Sequence, residues 1–303
     1  MNNTFNISSS SYVVGAPTST DSGWLVMAMD DVAAQGIEHS AILKLTQGVF
    51  ESVCLKMFRS KHVAWLPARQ EAVFVGDNGE CAVIASDGSD HDEYVTRSQR
   101  SPRNTGHIRA ATRLGDDVIA VGMQRQVYRR LGSGQWVDMN LGIPSPDTSE
   151  TSGFECVLAI SETEIYAAGW RGEVWLFEGE AWRRLDSPTN RIVTSLGLNP
   201  YGEVLACGRN GSLIAGRKDA WRLISESACP DDLWSLAASS KVQFAAALRR
   251  LYTLNDDGTA AMVNLDELGA ETFGHLAATA DVVWSLGEKD FLSFDGKQWS
   301  RIG

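Results

Sequence analysis

Apolar residues run along this chain in short, β-branched or aromatic clusters, each closed by Gly, Asn or Asp, as in "EIYAAGWRGEVWLFEGEAWRRL" and "DVVWSLGEKDFLSFDGKQWSRI". Apolar residues at three- and four-residue spacing, the mark of an amphipathic helix, are missing from these segments, so they predict strands joined by tight turns. Only "VNLDELGAETF" hints at a helical turn.

The clusters repeat. A small residue ends the second strand of each unit at Gly76, Gly122, Gly169, Gly208, Ala247 and Gly287, with spacings between 39 and 47 residues. A period of about forty residues is that of a four-stranded propeller blade. Each unit has an earlier strand, such as "CVLAISE" or "HLAATA", and a closing one after a turn, such as "AWRRL" or "QWSRI". Strands A to D per unit follow. Upstream, "SYVVG", "GWLVMAM", "HSAILKLT" and "VFESVCLKM" fit a more degenerate unit with a long insertion around Asp30 to Glu38. The expected architecture is all-β, a seven-bladed β-propeller of four-stranded antiparallel blades in one domain. Approximate blade ranges are 11–58, 60–97, 107–140, 154–186, 190–225, 231–264 and 272–303.

The repeat resembles that of bacterial propellers of the WD40/YVTN/BNR-like type, "VWAVG-x-x-G-x-I-x-H-x-D-G-x-x-W", most sharply over Ile165 to Leu185 and Val282 to Ile302. The chain lacks a kelch Gly-Gly pair and a Trp-Asp dipeptide. Gly296 follows Asp295 directly, unlike the sialidase Asp-box. The resemblance therefore implies a fold, and activity only by analogy.

Composition narrows the function classes. With 303 residues, 44% hydrophobic and 21% charged, the chain can bury a substantial core. The net charge of −11 argues against nucleic acid or an anionic membrane as partner. No apolar run approaches the roughly 18 residues of a membrane-spanning helix, and the N-terminus lacks a signal-peptide pattern, so a cytoplasmic monomer is expected. Five Cys without CxxC spacing read as buried thiols.

The repeat also sorts charges by face, because B–C turns and D–A connections share one side of a propeller. That side receives Arg125, Arg171, Arg209, Arg249, Arg250 and Lys289, with Arg97, Arg100, Arg103 and Arg109 from one D–A segment. Acidic turn residues such as Asp116, Glu162, Glu180, Asp256 and Asp295 fall on the other side. Recurrent Arg at equivalent turns points to an acidic protein partner, since the guanidinium fork matches carboxylates. Trp170, in the turn "GWRGE", is the ring expected to share that contact, whereas Trp136, Trp182, Trp221 and Trp299 each follow a C–D turn and are expected to pack between blades.

Catalytic patterns are scarce. The five His are scattered over different units without metal-ligand spacing. No nucleophile elbow, P-loop or dinucleotide fingerprint occurs. The run "SDGSDHDEY" reads as a solvated C–D turn rather than a calcium loop. The expectation is a protein-binding propeller without enzymatic activity, metal or cofactor, fitting an immunity protein that neutralises a bacterial toxin through its Arg-rich face. The alternative is a carbohydrate-binding or sialidase-like propeller with Tyr128 as nucleophile.

Overall fold

Seven four-stranded antiparallel sheets form in a computed structural model that describes residues 5–95, 106–144, 151–239, 242–255 and 257–303. Each sheet takes its strands in sequence order, covering residues 10–56, 60–94, 108–138, 154–185, 193–225, 235–262 and 275–301. These are blades 1 to 7. The A strands of neighbouring blades contact one another all the way round, so they form the inner wall, and the ring is that of a seven-bladed β-propeller.

The recurrent glycine has a steric cause. It ends strand B where the chain passes beneath the D–A connection, and the next backbone N–H donates to that connection, as Met123 does to His107, Trp170 to Gly153 and Arg209 to Ile192. A Cβ at Gly122, Gly169, Gly208 or Gly287 would lie 2.2, 2.3, 2.2 or 2.0 Å from the carbonyl oxygen of His107, Gly153, Ile192 or Thr272. No side chain fits at such a distance. Blade 6 carries Ala247 at this position, and there the Leu248 carbonyl accepts from Phe273 N–H of the connection to blade 7.

The core is divided between the blade interfaces. Seven apolar clusters lie among the described residues, each dominated by two adjacent blades. Trp136 and Trp182 are buried in the clusters joining blades 2 and 3 and blades 3 and 4; Trp221 and Trp299 pack at the edges of two others. The C–D tryptophans thus act as wedges between blades, as large amphipathic rings do.

Closure uses no exchanged strand: blade 1 is wholly N-terminal and blade 7 wholly C-terminal. Side chains do the joining. Trp284 is fully buried, stacks edge-on against Phe291 at 4.8 Å, and donates its indole N–H to the Thr20 carbonyl of blade 1 at 3.2 Å. Blade 1 makes room with glycine, since a Cβ at Gly23 would meet Trp284 at 2.6 Å. The insertion in blade 1 is a short helix, Asp30–Ala34, in the B–C connection. The hinted helical turn appears as a 3-10 turn, Asp266–Leu268, between blades 6 and 7.

Candidate functional site

The B–C turns and D–A connections bring most of the candidate residues to one face, and the local backbone explains their display. After the anchor the chain turns through left-handed conformations, with φ of 57° at Gln124, 59° at Arg125, 59° at Arg171 and 56° at Asn210. A non-glycine residue there costs on the order of 1 kcal/mol, which the surrounding turn must hold in place.

Most of the basic residues on this face are matched by carboxylates that sequence reasoning did not assign to it. Arg125 makes a bidentate pair with Glu173 of the next blade, both contacts 2.6 Å, and lies over the Trp175 ring at 5.9 Å. Burial alone would raise the Glu173 carboxyl, but hydrogen bonds from Arg125 and Trp175 hold it below the usual range. Arg209 pairs with Asp232 at 2.5 Å and stacks on Trp234 with 4.4 Å to the ring centre. Arg250 binds Asp231 at 2.9 Å, where the Tyr252 hydroxyl also donates, and Lys289 reaches Asp30 of the insertion at 2.5 Å. Arg109 binds Glu155 at 2.7 Å, and the indole N–H of Trp170 donates to the same carboxylate at 2.6 Å. Trp170 is accordingly half-buried, with its polar edge engaged.

The face is therefore laced with ion pairs rather than uniformly positive. Arg249 stands out from that lattice: it is exposed at the blade 6 turn and makes no ion pair or hydrogen bond with the described residues, while Arg171 is exposed at the tip of the blade 4 turn. Beside Arg249 the Leu248 side chain is 61% exposed, and both border a cavity of about 300 Å³ with Tyr12, Val13 and Phe273. Arg97, Arg100 and Arg103 lie outside the described residues, as does Asp256. The matching carboxylates were signalled by "RGEVW" and "CPDDL", where acids sit close to the turn that carries the Arg.

The opposite face is matched in the same way. Arg217 binds Glu164 at 2.8 Å, Arg222 binds Glu203 at 2.6 Å, and Arg183 bridges Glu178 and Asp219. In "SDGSDHDEY", Asp90 and Asp92 clamp Lys56 of blade 1 at 2.6 and 2.7 Å, while Asp87 accepts from Ser89. Tyr128 is buried in the cluster between blades 2 and 3, which removes the geometry a surface nucleophile needs. All five cysteines are free thiols, and burial pushes every one of them upward, Cys207 to about 12.

No protein-family model matches the chain. The immune protein Tsi7 of Pseudomonas aeruginosa is 32% identical over 299 residues, spanning 96% of this chain and 97% of Tsi7. Among solved structures, a virginiamycin B lyase from Staphylococcus aureus with quinupristin superposes with a TM-score of 0.72 at 10% identity, over 97% of this chain and 96% of the lyase. YCF48 bound to a D1 peptide gives 0.64 at 16% identity, over 93% and 90%. The WD40 propeller domain of Doa1 gives 0.63 at 10% identity, over 96% of each chain. At such identities these structures speak to the fold alone.

Proposed function

Because the chain belongs to the family of the immune protein Tsi7, we infer that it is an immunity protein, a β-propeller that binds and neutralises a toxin. The observation that carries this reading is a 32% identity extending over nearly the whole of both chains, so the likeness covers every blade and not one repeat. We further infer that it acts by binding, without turnover, as a cytoplasmic monomer. Five free thiols suit a reducing compartment.

The docking surface in this reading is the face of the B–C turns, and its partner surface is acidic. Arg171 and Arg249 offer exposed guanidinium groups, Leu248 adds exposed apolar area beside one of them, and the ion-paired Arg125, Arg209, Arg250 and Lys289 form a rigid surround. Arg beside an apolar side chain is the combination enriched where protein contacts concentrate their energy.

The test is co-expression with the product of the neighbouring gene, followed by affinity measurement at two salt concentrations. Arg171→Glu and Arg249→Glu are expected to weaken binding by about 2 kcal/mol or more each, with the larger part of the loss at low salt. Glu180→Lys, on the opposite face, is expected to leave it unchanged. Unchanged affinity in both Arg variants would move the docking surface elsewhere; absence of any complex with that product would remove the immunity reading itself.

A further inference from the structure

The cavity of about 300 Å³ beside Arg249 lies at the seam where the ring closes, and blades 6, 7 and 1 all contribute to it. Its apolar lining includes Tyr12 and Val13 from strand A of blade 1, Phe273 from the connection between blades 6 and 7, and Leu286 from the end of strand B in blade 7. Phe273 and Leu286 are buried, so the core fixes these walls. Leu248 also lines the cavity, yet its side chain is 61% exposed.

Two charged residues of opposite sign share this lining, Arg249 from the B–C turn of blade 6 and Glu288 from that of blade 7. Both are exposed, and neither side chain makes an ion pair or hydrogen bond with the described residues, so they do not match one another. The aspartates of the adjoining turns are already engaged. Asp231 is taken by Arg250 and Tyr252, Asp232 by Arg209 and the Asn210 N–H, and Asp290 by Arg301 together with the backbone N–H groups of Glu271 and Thr272. Lys289, next to Glu288, is held by Asp30. The groups that match Arg249 and Glu288 must come from outside the ring.

We propose that this cavity receives one apolar side chain of the protein partner, seated with a partner carboxylate on Arg249 and a partner ammonium or guanidinium on Glu288. The proposal rests on the immunity reading and names a contact at its docking face. A volume at the lower end of the roughly 300–1,000 Å³ of ligand pockets has room for one side chain and not for an extended segment. Protein contacts concentrate their energy where such an anchor fills a pocket. Opposite charges at one cavity fix which way round the partner segment lies, since complementary charges set register and reject wrong partners.

The sign of the Glu288 effect separates this seating from general attraction to an acidic partner. If net charge alone governed docking, Glu288→Lys would tighten the complex by adding positive charge. The seating instead gives binding about tenfold or more weaker, because the partner's cation then faces a like charge. Arg249→Glu should weaken binding about thirtyfold or more. Gly274, which also lines the cavity, offers a filling variant: a Cβ there meets only the Leu286 carbonyl oxygen, at 3.7 Å. Gly274→Leu should therefore weaken binding about tenfold while the melting temperature holds; if the melting temperature falls, Glu288→Lys decides. Affinities are measured between the full chain and the product of the neighbouring gene. A complex with the unaltered chain that Glu288→Lys leaves unchanged or tightens, or that a stably folded Gly274→Leu leaves unchanged, would overturn the seating and leave the immunity reading standing. Absence of any complex would remove both.

Discussion

Replacing Glu93 by Gln removes a charge while keeping the shape of a clamp between blades 2 and 3. Glu93 (side chain 2% exposed) accepts from Arg130 (fully buried) through two contacts, Nε to Oε2 at 2.9 Å and Nη2 to Oε1 at 2.7 Å. Trp136 Nε1 donates to it at 3.2 Å, and Glu71 stands 3.6 Å from the same guanidinium. Burial opposes the Glu93 charge, but hydrogen bonds from Arg130, the Gly134 backbone and His91 bring its carboxyl down to about 2 from an ordinary 4.5. That depression corresponds to about 3 kcal/mol of stability, matching the roughly 3–5 kcal/mol lost when one partner of a buried pair is removed. Glu71 still offers the stranded guanidinium some compensation, so the lower end is expected. At about 2 °C per kcal/mol for a chain of this length, Glu93→Gln should melt roughly 6 °C lower at pH 7, followed by circular dichroism. Because the carboxyl is depressed, its contribution is present above pH 4.5 and disappears as pH falls through about 2, where the variant and the unaltered protein should converge. Glu178→Gln, at an exposed pair with Arg183, should not shift the transition. A melting point within 2 °C of the unaltered protein at pH 7 would refute the assignment of the clamp.

Trp284→Ala should cost about 3–5 kcal/mol in unfolding free energy, since it empties the seam where the ring closes without an exchanged strand; a loss under 1 kcal/mol would place closure elsewhere. His62 and His275, which line one cavity of about 600 Å³ and are held neutral by burial, give stability that is present above the ordinary histidine pKa and is lost as pH falls from about 6.5 toward 4, at up to about 1.4 kcal/mol per pH unit for each ring. A His62→Gln, His275→Gln double variant should therefore flatten the decline in melting temperature between pH 7 and pH 5. Hydrolysis of glycosides and esters should stay at background, and Tyr128→Phe should change nothing measurable; turnover that this variant abolishes would restore the glycan-active alternative.

The periodicity of short apolar strands determined the seven blades, because each four-stranded unit needs the same alternation and four of them need a glycine to slip beneath the carbonyl of a connecting segment. The positions of Gly122, Gly169, Gly208 and Gly287 were legible for that reason, as were the interblade roles of Trp136 and Trp182. Charge was less legible. Sequence sorted Arg125, Arg209, Arg250 and Lys289 to one face, but whether a guanidinium is open or matched depends on residues brought alongside by the ring: Glu173 from the next blade, Asp231 and Asp232 from a connecting segment, Asp30 from the far end of the chain. The histidines show the same limit more sharply. His62 and His275 stand over two hundred residues apart, and only closure of the ring sets blades 7 and 2 on either side of blade 1 and brings both into the lining of one cavity. A repeat records what every blade must do locally, whereas a contact between unlike blades exists only once the circle is complete.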